Sequence, residues 1–164
     1  MNENTKDPDQ PPSCIAIVDD TACVCDADLE WFHTTLEAIV QHVEPCVERF
    51  AARIVGDEAM SAAHLRYSGI EGSTDVLTFV TAPDPIEVDV LLCLHEADRR
   101  VAEFSHTTVH ELLLYAVHGL LHAAGFDDHD PSSFEAIHAE EDRLLTLVGV
   151  GDLFDPARHA RGNA

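Results

Sequence analysis

Apolar and polar residues change their period several times along this chain, and each change marks an element. CIAIVDD, residues 14–20, alternates over a short span and predicts a strand. From Asp28 the period lengthens. Leu29, Phe32, Leu36, Ile39, Val40 and Val43 fall on one face of a helix that Asp28 would cap and Pro45 would close. RFAARIV (49–55) predicts a second strand, residues 57–67 a helix, and GIEGST (69–74) a loop. DVLTFV (75–80) predicts a third strand; APDP (82–85) breaks it, and EVDVLLCL (87–94) returns as its hairpin partner. Helices are expected at about 95–104, 108–124 and 131–148. No internal repeat interrupts this order. It predicts an α+β fold, a small mixed β-sheet of about four strands packed with helices.

The helix at 108–124 stands apart because it is apolar on nearly every face, the pattern of a buried central helix. Thr108 and Glu111 have capping-box spacing at its start. Gly125 supplies the left-handed residue that ends it, and Asp130-Pro131 then reads as an N-cap followed by proline at the first helical position. Within the apolar run sit His118 and His122, at i and i+4, with Cβ atoms about 5–6 Å apart. An unpaired buried polar group costs about 1–3 kcal/mol, and one shared metal ion would satisfy both rings. Gly119 between them costs about 1 kcal/mol against alanine and lets something approach the helix closely. A catalytic zinc site takes three protein ligands and leaves a position open. The third would come from the connector after Gly125. The spacing H-x3-H-x5-D selects Asp128, and H-x3-H-x6-H selects His129.

Composition narrows the setting. A chain of 164 residues fits one domain, read here as 13–150 between polar tails at 1–12 and 151–164. The start, MNENTKDPDQPPS, lacks the basic-then-apolar order of a secretory leader, and no run approaches the ~20 apolar residues of a membrane helix. Five cysteines, with no ribbon or disulfide spacing, point to reduced thiols and a cytosolic, cytoplasmic location. Cys23-x-Cys25 reads as two such thiols in a loop. The net charge is −22 with a single lysine, Lys6, which opposes non-specific attraction to nucleic acid and reads as a solvated acidic surface.

HGLLHAAGFDDH (118–129) resembles the H-G-x-L-H-x-x-G-Y-D-H pattern of the YbeY family of rRNA maturation factors and single-strand endoribonucleases. STDVLTF (73–79) resembles that family's PTDVLSF, and EVDVLLCLHEADRRVAEF (87–104) resembles the strand and helix between the two motifs. The resemblance covers about residues 14–148. It implies a small mixed sheet packed with helices and a zinc or similar ion held by three side chains. It also implies a role in 16S rRNA 3′-end maturation and small-subunit quality control. Ribosomal RNA, the small subunit and its basic proteins are the implied partners. His118 and His122 carry over directly; the family's third ligand falls at Asp128, with His129 one residue later. The arginine that family members carry before the TDV motif aligns with Ser68, which puts catalytic competence in question. Arg66, two residues earlier, is the candidate phosphate contact, and Arg99 and Arg100 read as a solvated pair. The ion would lower the pKa of bound water toward ~7 and stabilise charge on phosphate oxygens. Ligand type alone also admits nickel, copper or manganese.

Other polar residues have plainer readings. Thr74-Asp75 fixes a turn, Glu111 caps a helix, and Tyr115 fills the core. Two rival functions remain. A metalloprotease of the H-E-x-x-H type would need its general base where Gly119 stands. A non-catalytic, zinc-containing ribosome-assembly binding factor would suit an acidic chain facing basic ribosomal proteins.

Overall fold

The structure is a computed structural model that describes residues 13–104 and 106–151. The tails expected at 1–12 and 151–164 lie, Gly151 aside, outside the described residues. Among the described residues nine elements follow in chain order: β1 (Cys14–Asp19), α1 (Asp26–Val40), β2 (Val47–Val55), α2 (Asp57–Ser68), β3 (Val76–Pro83), β4 (Ile86–Cys93), α3 (Leu94–Val101), α4 (Thr108–Ala123) and α5 (Pro131–Leu147). The sheet has four strands in the order β1-β2-β4-β3. β1, β2 and β4 run parallel, and β3 pairs antiparallel with β4 as its hairpin partner. This is the mixed-sheet α+β architecture that the hydrophobic pattern predicts.

Alternation along the strands sorts two cores. Ile86, Val88, Val90 and Leu92 of β4 and Phe50, Ala52 and Ile54 of β2 are buried on one face, against α1, α4 and α5. Their neighbours Val55 and Cys93 point the other way and meet Met60 of α2 in a smaller cluster. α4 lies across the larger core, with Leu112, Leu113, Ala116, Val117 and Leu120 fully buried. Phe32, Leu36 and Ile39 of α1 and Ile137, Leu144 and Leu145 of α5 complete that core.

Gly119 is where α4 meets the sheet. A Cβ there would sit 2.8 Å from Thr78 Oγ1 and 3.0 Å from Val90 Cγ1. The glycine therefore admits strands β3 and β4, and the close approach it provides is helix on sheet.

Two helix starts, those of α1 and α4, have other caps than the sequence pattern predicts. α1 begins at Asp26 with Cys25 at the N-cap, and no side chain caps it. Asp28 instead sits in the first turn, where its charge still favours the helix dipole. α4 is capped by Thr107 rather than Thr108, and the box is closed by His110 rather than Glu111. The box tolerates this because an imidazole nitrogen accepts the N-cap N–H as a carboxylate would. Glu111 is buried and accepts a hydrogen bond from His106. α5 begins as expected, with Asp130 accepting from the Ser133 N–H and Pro131 in the first turn.

Candidate metal centre

α4 ends in a tight left-handed turn. Ala124 is the C-cap and Gly125 follows with φ +100°. The Phe126 N–H donates to the Leu121 carbonyl at 3.0 Å and the Gly125 N–H to the His122 carbonyl at 3.1 Å. These are the two bonds of a Schellman motif. The reversed chain then passes the helix end, and Asp127 Oδ1 accepts from the N–H groups of Asp128 and His129. This turn brings Asp128 beside the two histidines.

The three ligand atoms form a near-equilateral triangle. His118 Nε2 and His122 Nε2 are 3.0 Å apart, and Asp128 Oδ2 lies 3.5 Å from the first and 3.6 Å from the second. A tetrahedral ion with bonds of about 2.0–2.1 Å sets its ligand atoms roughly 3.3–3.4 Å apart. The donor set therefore fits a single ion of zinc size. All three side chains are partly exposed, so one side of the triangle faces solvent. His129 does not join it: its side chain is 87% exposed and its Nε2 lies 3.4 Å from Asp127 Oδ1. Asp127, Asp128 and His129 form a second carboxylate–imidazole group on the connector, largely in solvent.

Both rings are held from behind. His118 Nδ1 donates to Glu141 Oε1 at 2.6 Å, and His122 Nδ1 donates to the Phe126 carbonyl at 3.0 Å. A carbonyl and a carboxylate only accept, so each Nδ1 carries the proton and each Nε2 lone pair faces the triangle. Glu141 Oε2 accepts from His138 Nδ1, also at 2.6 Å. Glu141 and His138 are 1% and 4% exposed. Burial works against a charged Glu141, but the bonds from His118 and His138 outweigh it and hold its pKa below the ordinary glutamate value. Burial likewise works against a protonated His118. The bond to Glu141 outweighs that, helped by the charges of Asp75 and Asp128, and raises its pKa.

The sequence reading does not contain Glu141 or His138. A signal was available: both fall on the α5 stripe that buries Ile137, Leu144 and Leu145, where apolar residues are expected.

Comparison with known proteins bears on the whole fold. Residues 19–149 match the family model described as Endoribonuclease YbeY. The chain belongs to the YbeY family. The Endoribonuclease YbeY of Mycobacterium tuberculosis is 32% identical over 132 residues, covering 73% of each chain. That of Gloeobacter violaceus is 34% identical over 108 residues, or 60% of this chain and 56% of the other. In fold, the chain is similar to the solution structure of TM1509 from Thermotoga maritima. The TM-score is 0.57 at 24% identity, over 81% of this chain and 90% of that one.

The other residues singled out in the sequence fall as follows. Ser68, which the sequence resemblance aligns with a family arginine, is the last residue of α2 and is exposed. Arg66, two residues earlier on α2 and so on another side of the helix, is exposed, with its guanidinium 5.4 Å from the Tyr67 ring centroid. Arg99 is bound to Asp57 and Glu96, so it is a surface clamp between α2 and α3. Asp75 Oδ1 accepts from the Val76 N–H and the Thr74 hydroxyl, which fixes the turn into β3. Tyr115 is buried in the core. Cys23 and Cys25 are exposed and free, outside any strand or helix. Among the described residues, no helix is long and apolar enough to cross a membrane.

Proposed function

We propose that the chain is a metal-dependent endoribonuclease of 16S rRNA 3′-end maturation and small-subunit quality control, with His118, His122 and Asp128 holding one Zn2+. The observation that carries this reading is the triangle of ligand atoms, 3.0–3.6 Å on a side, whose rings already spend their Nδ1 protons elsewhere. Family membership supports the reaction class. When bound, the ion supplies a Lewis acid for a phosphate oxygen and acidifies water toward a pKa of ~7. The chain's own residues orient that chemistry. Asp128 brings the negative charge that two neutral imidazoles lack. Arg66 is the phosphate contact in this reading, since its guanidinium is exposed and unengaged by a carboxylate among the described residues. The enzyme works in the cytoplasm on ribosomal RNA. Zinc-loaded protein is expected to cleave an unstructured RNA, and His122→Ala to abolish cleavage. Cleavage that survives the substitution overturns the proposal.

A second reading has its own observation. The net charge is −22, and Arg49, Arg53, Arg99 and Arg143 are each paired with a carboxylate. Such a surface suits basic ribosomal proteins better than bare RNA, as expected of a non-catalytic zinc-containing assembly factor. Capture of basic ribosomal proteins by a metal-loaded protein that cleaves no RNA would favour it. A protease is the weakest fit, because position 119 is a glycine pressed against β3 and β4 and offers no general base.

A further inference from the structure

Behind the ligand triangle lies a third imidazole–carboxylate group, in which His118 meets the buried His138 and Glu141 between α4 and α5. Its distances say what it is. Glu141 Oε1 is 2.6 Å from His118 Nδ1, and Glu141 Oε2 is 2.6 Å from His138 Nδ1. Two ligands of one ion stand roughly 3.3–3.4 Å apart, whereas 2.6 Å is a charge-assisted hydrogen bond. The group is therefore a bonded chain and not a second ion site.

Building such a chain into a core is expensive, because desolvating a carboxylate costs several kcal/mol and a buried pair seldom repays it as stability. Here both Glu141 oxygens are spent on ring nitrogens, and one of those rings points its other nitrogen at the triangle. His138 holds the second Glu141 oxygen at 2.6 Å, and its ring lies nearly parallel to that of His118, 5.9 Å away at 19°.

We propose that Glu141 is a positioning residue for the candidate metal centre, with His138 as its brace. Glu141 locks His118 in the tautomer that presents Nε2 and strengthens that nitrogen as a ligand. Its charge, with that of Asp128, balances a dication. This proposal rests on the three-ligand reading above and adds a layer to it. Carboxylates that hold a ligand histidine this way typically govern metal affinity by about 10–100-fold.

The test is zinc affinity of the full chain, read by competition with a chromophoric chelator, beside the melting temperature of the metal-free protein. Wild type is expected to bind one equivalent. Glu141→Gln, which keeps the shape and an acceptor but removes the charge, is expected to bind about 10–100-fold more weakly. Its cobalt-loaded absorption spectrum should shift, a change that a purely structural residue would not produce. Wild-type affinity and spectrum in Glu141→Gln overturn the proposal while leaving the three-ligand reading intact. Wild type that binds no zinc fails the three-ligand reading, and the proposal falls with it. If Glu141→Gln does not fold, His138→Gln carries the test. It leaves Glu141 and all three ligands in place, and undiminished zinc affinity there overturns the proposal.

Discussion

Asp128 and His129 are neighbours in sequence, yet only one of them faces the two α4 histidines. The turn at Gly125 sets the direction, and the Asp127 side chain holds the two following N–H groups. On the proposed three-ligand reading, Asp128→Ala is expected to lose zinc binding, and His129→Ala to retain about one equivalent. Metal analysis of the two purified variants by mass spectrometry separates them, and the reverse pattern would move the third ligand to His129. Gly119 makes a different demand. Alanine there gains roughly 1 kcal/mol of helix propensity but drives a methyl into Thr78 and Val90, both β-branched and stiff. Overpacking of this kind costs about 1–3 kcal/mol, so Gly119→Ala should lower the urea-unfolding free energy by about 1 kcal/mol net.

Among the elements, α4 is anchored at both ends by local chemistry, the Thr107–His110 box at its start and the Schellman turn at its end. Thr107→Ala should cost about 1 kcal/mol in chemical denaturation, as caps generally do, while Thr108→Ala leaves a helix still capped. α2 and α3 are joined by Asp57, which accepts two bonds from Arg99 at 2.8 and 2.9 Å. These bonds, opposed by slight burial, hold the Asp57 carboxyl well below the ordinary aspartate range. Its contribution to stability is thus present above the unfolded value of about 3.9 and fades as pH falls through the folded one. Half-exposed pairs are screened, so the contribution is under about 1 kcal/mol. Asp57→Asn should be slightly less stable than wild type at pH 7 and converge with it under acid. Urea midpoints at pH 7 and pH 2 check this, and a gap that widens in acid would contradict it.

For the molecule as a whole, charge is the strongest constraint. At −22, with most of the described arginines committed to carboxylates, the surface offers few cations for phosphate. Each phosphate contact to a single strand contributes about −0.7 to the slope of log affinity against log salt. RNA binding by this chain should therefore show a shallow slope, no steeper than about −2 between 50 and 200 mM salt, measurable by fluorescence anisotropy. A slope steeper than about −4 would require a basic surface outside the described residues.

Local pattern was enough for the element order, the hairpin of β3 and β4, the buried helix and the pairing of His118 with His122. Each rests on periods of two or 3.6 residues, or on a cap, which a short window of sequence contains. The exact caps of α1 and α4 escaped it, because Cys25 and His110 are unusual in those places and Thr107 and Thr108 are equally plausible by type. The meaning of Gly119 also waited for the sheet, since its neighbours Thr78 and Val90 are remote in sequence. So did Glu141 and His138. One is 23 residues from His118 along the chain, and only the packing of α5 on α4 brings its carboxylate to that ring. The choice between Asp128 and His129 turns on the same thing: spacing admits both, and the direction of a side chain in a turn is decided by the backbone that folds around it.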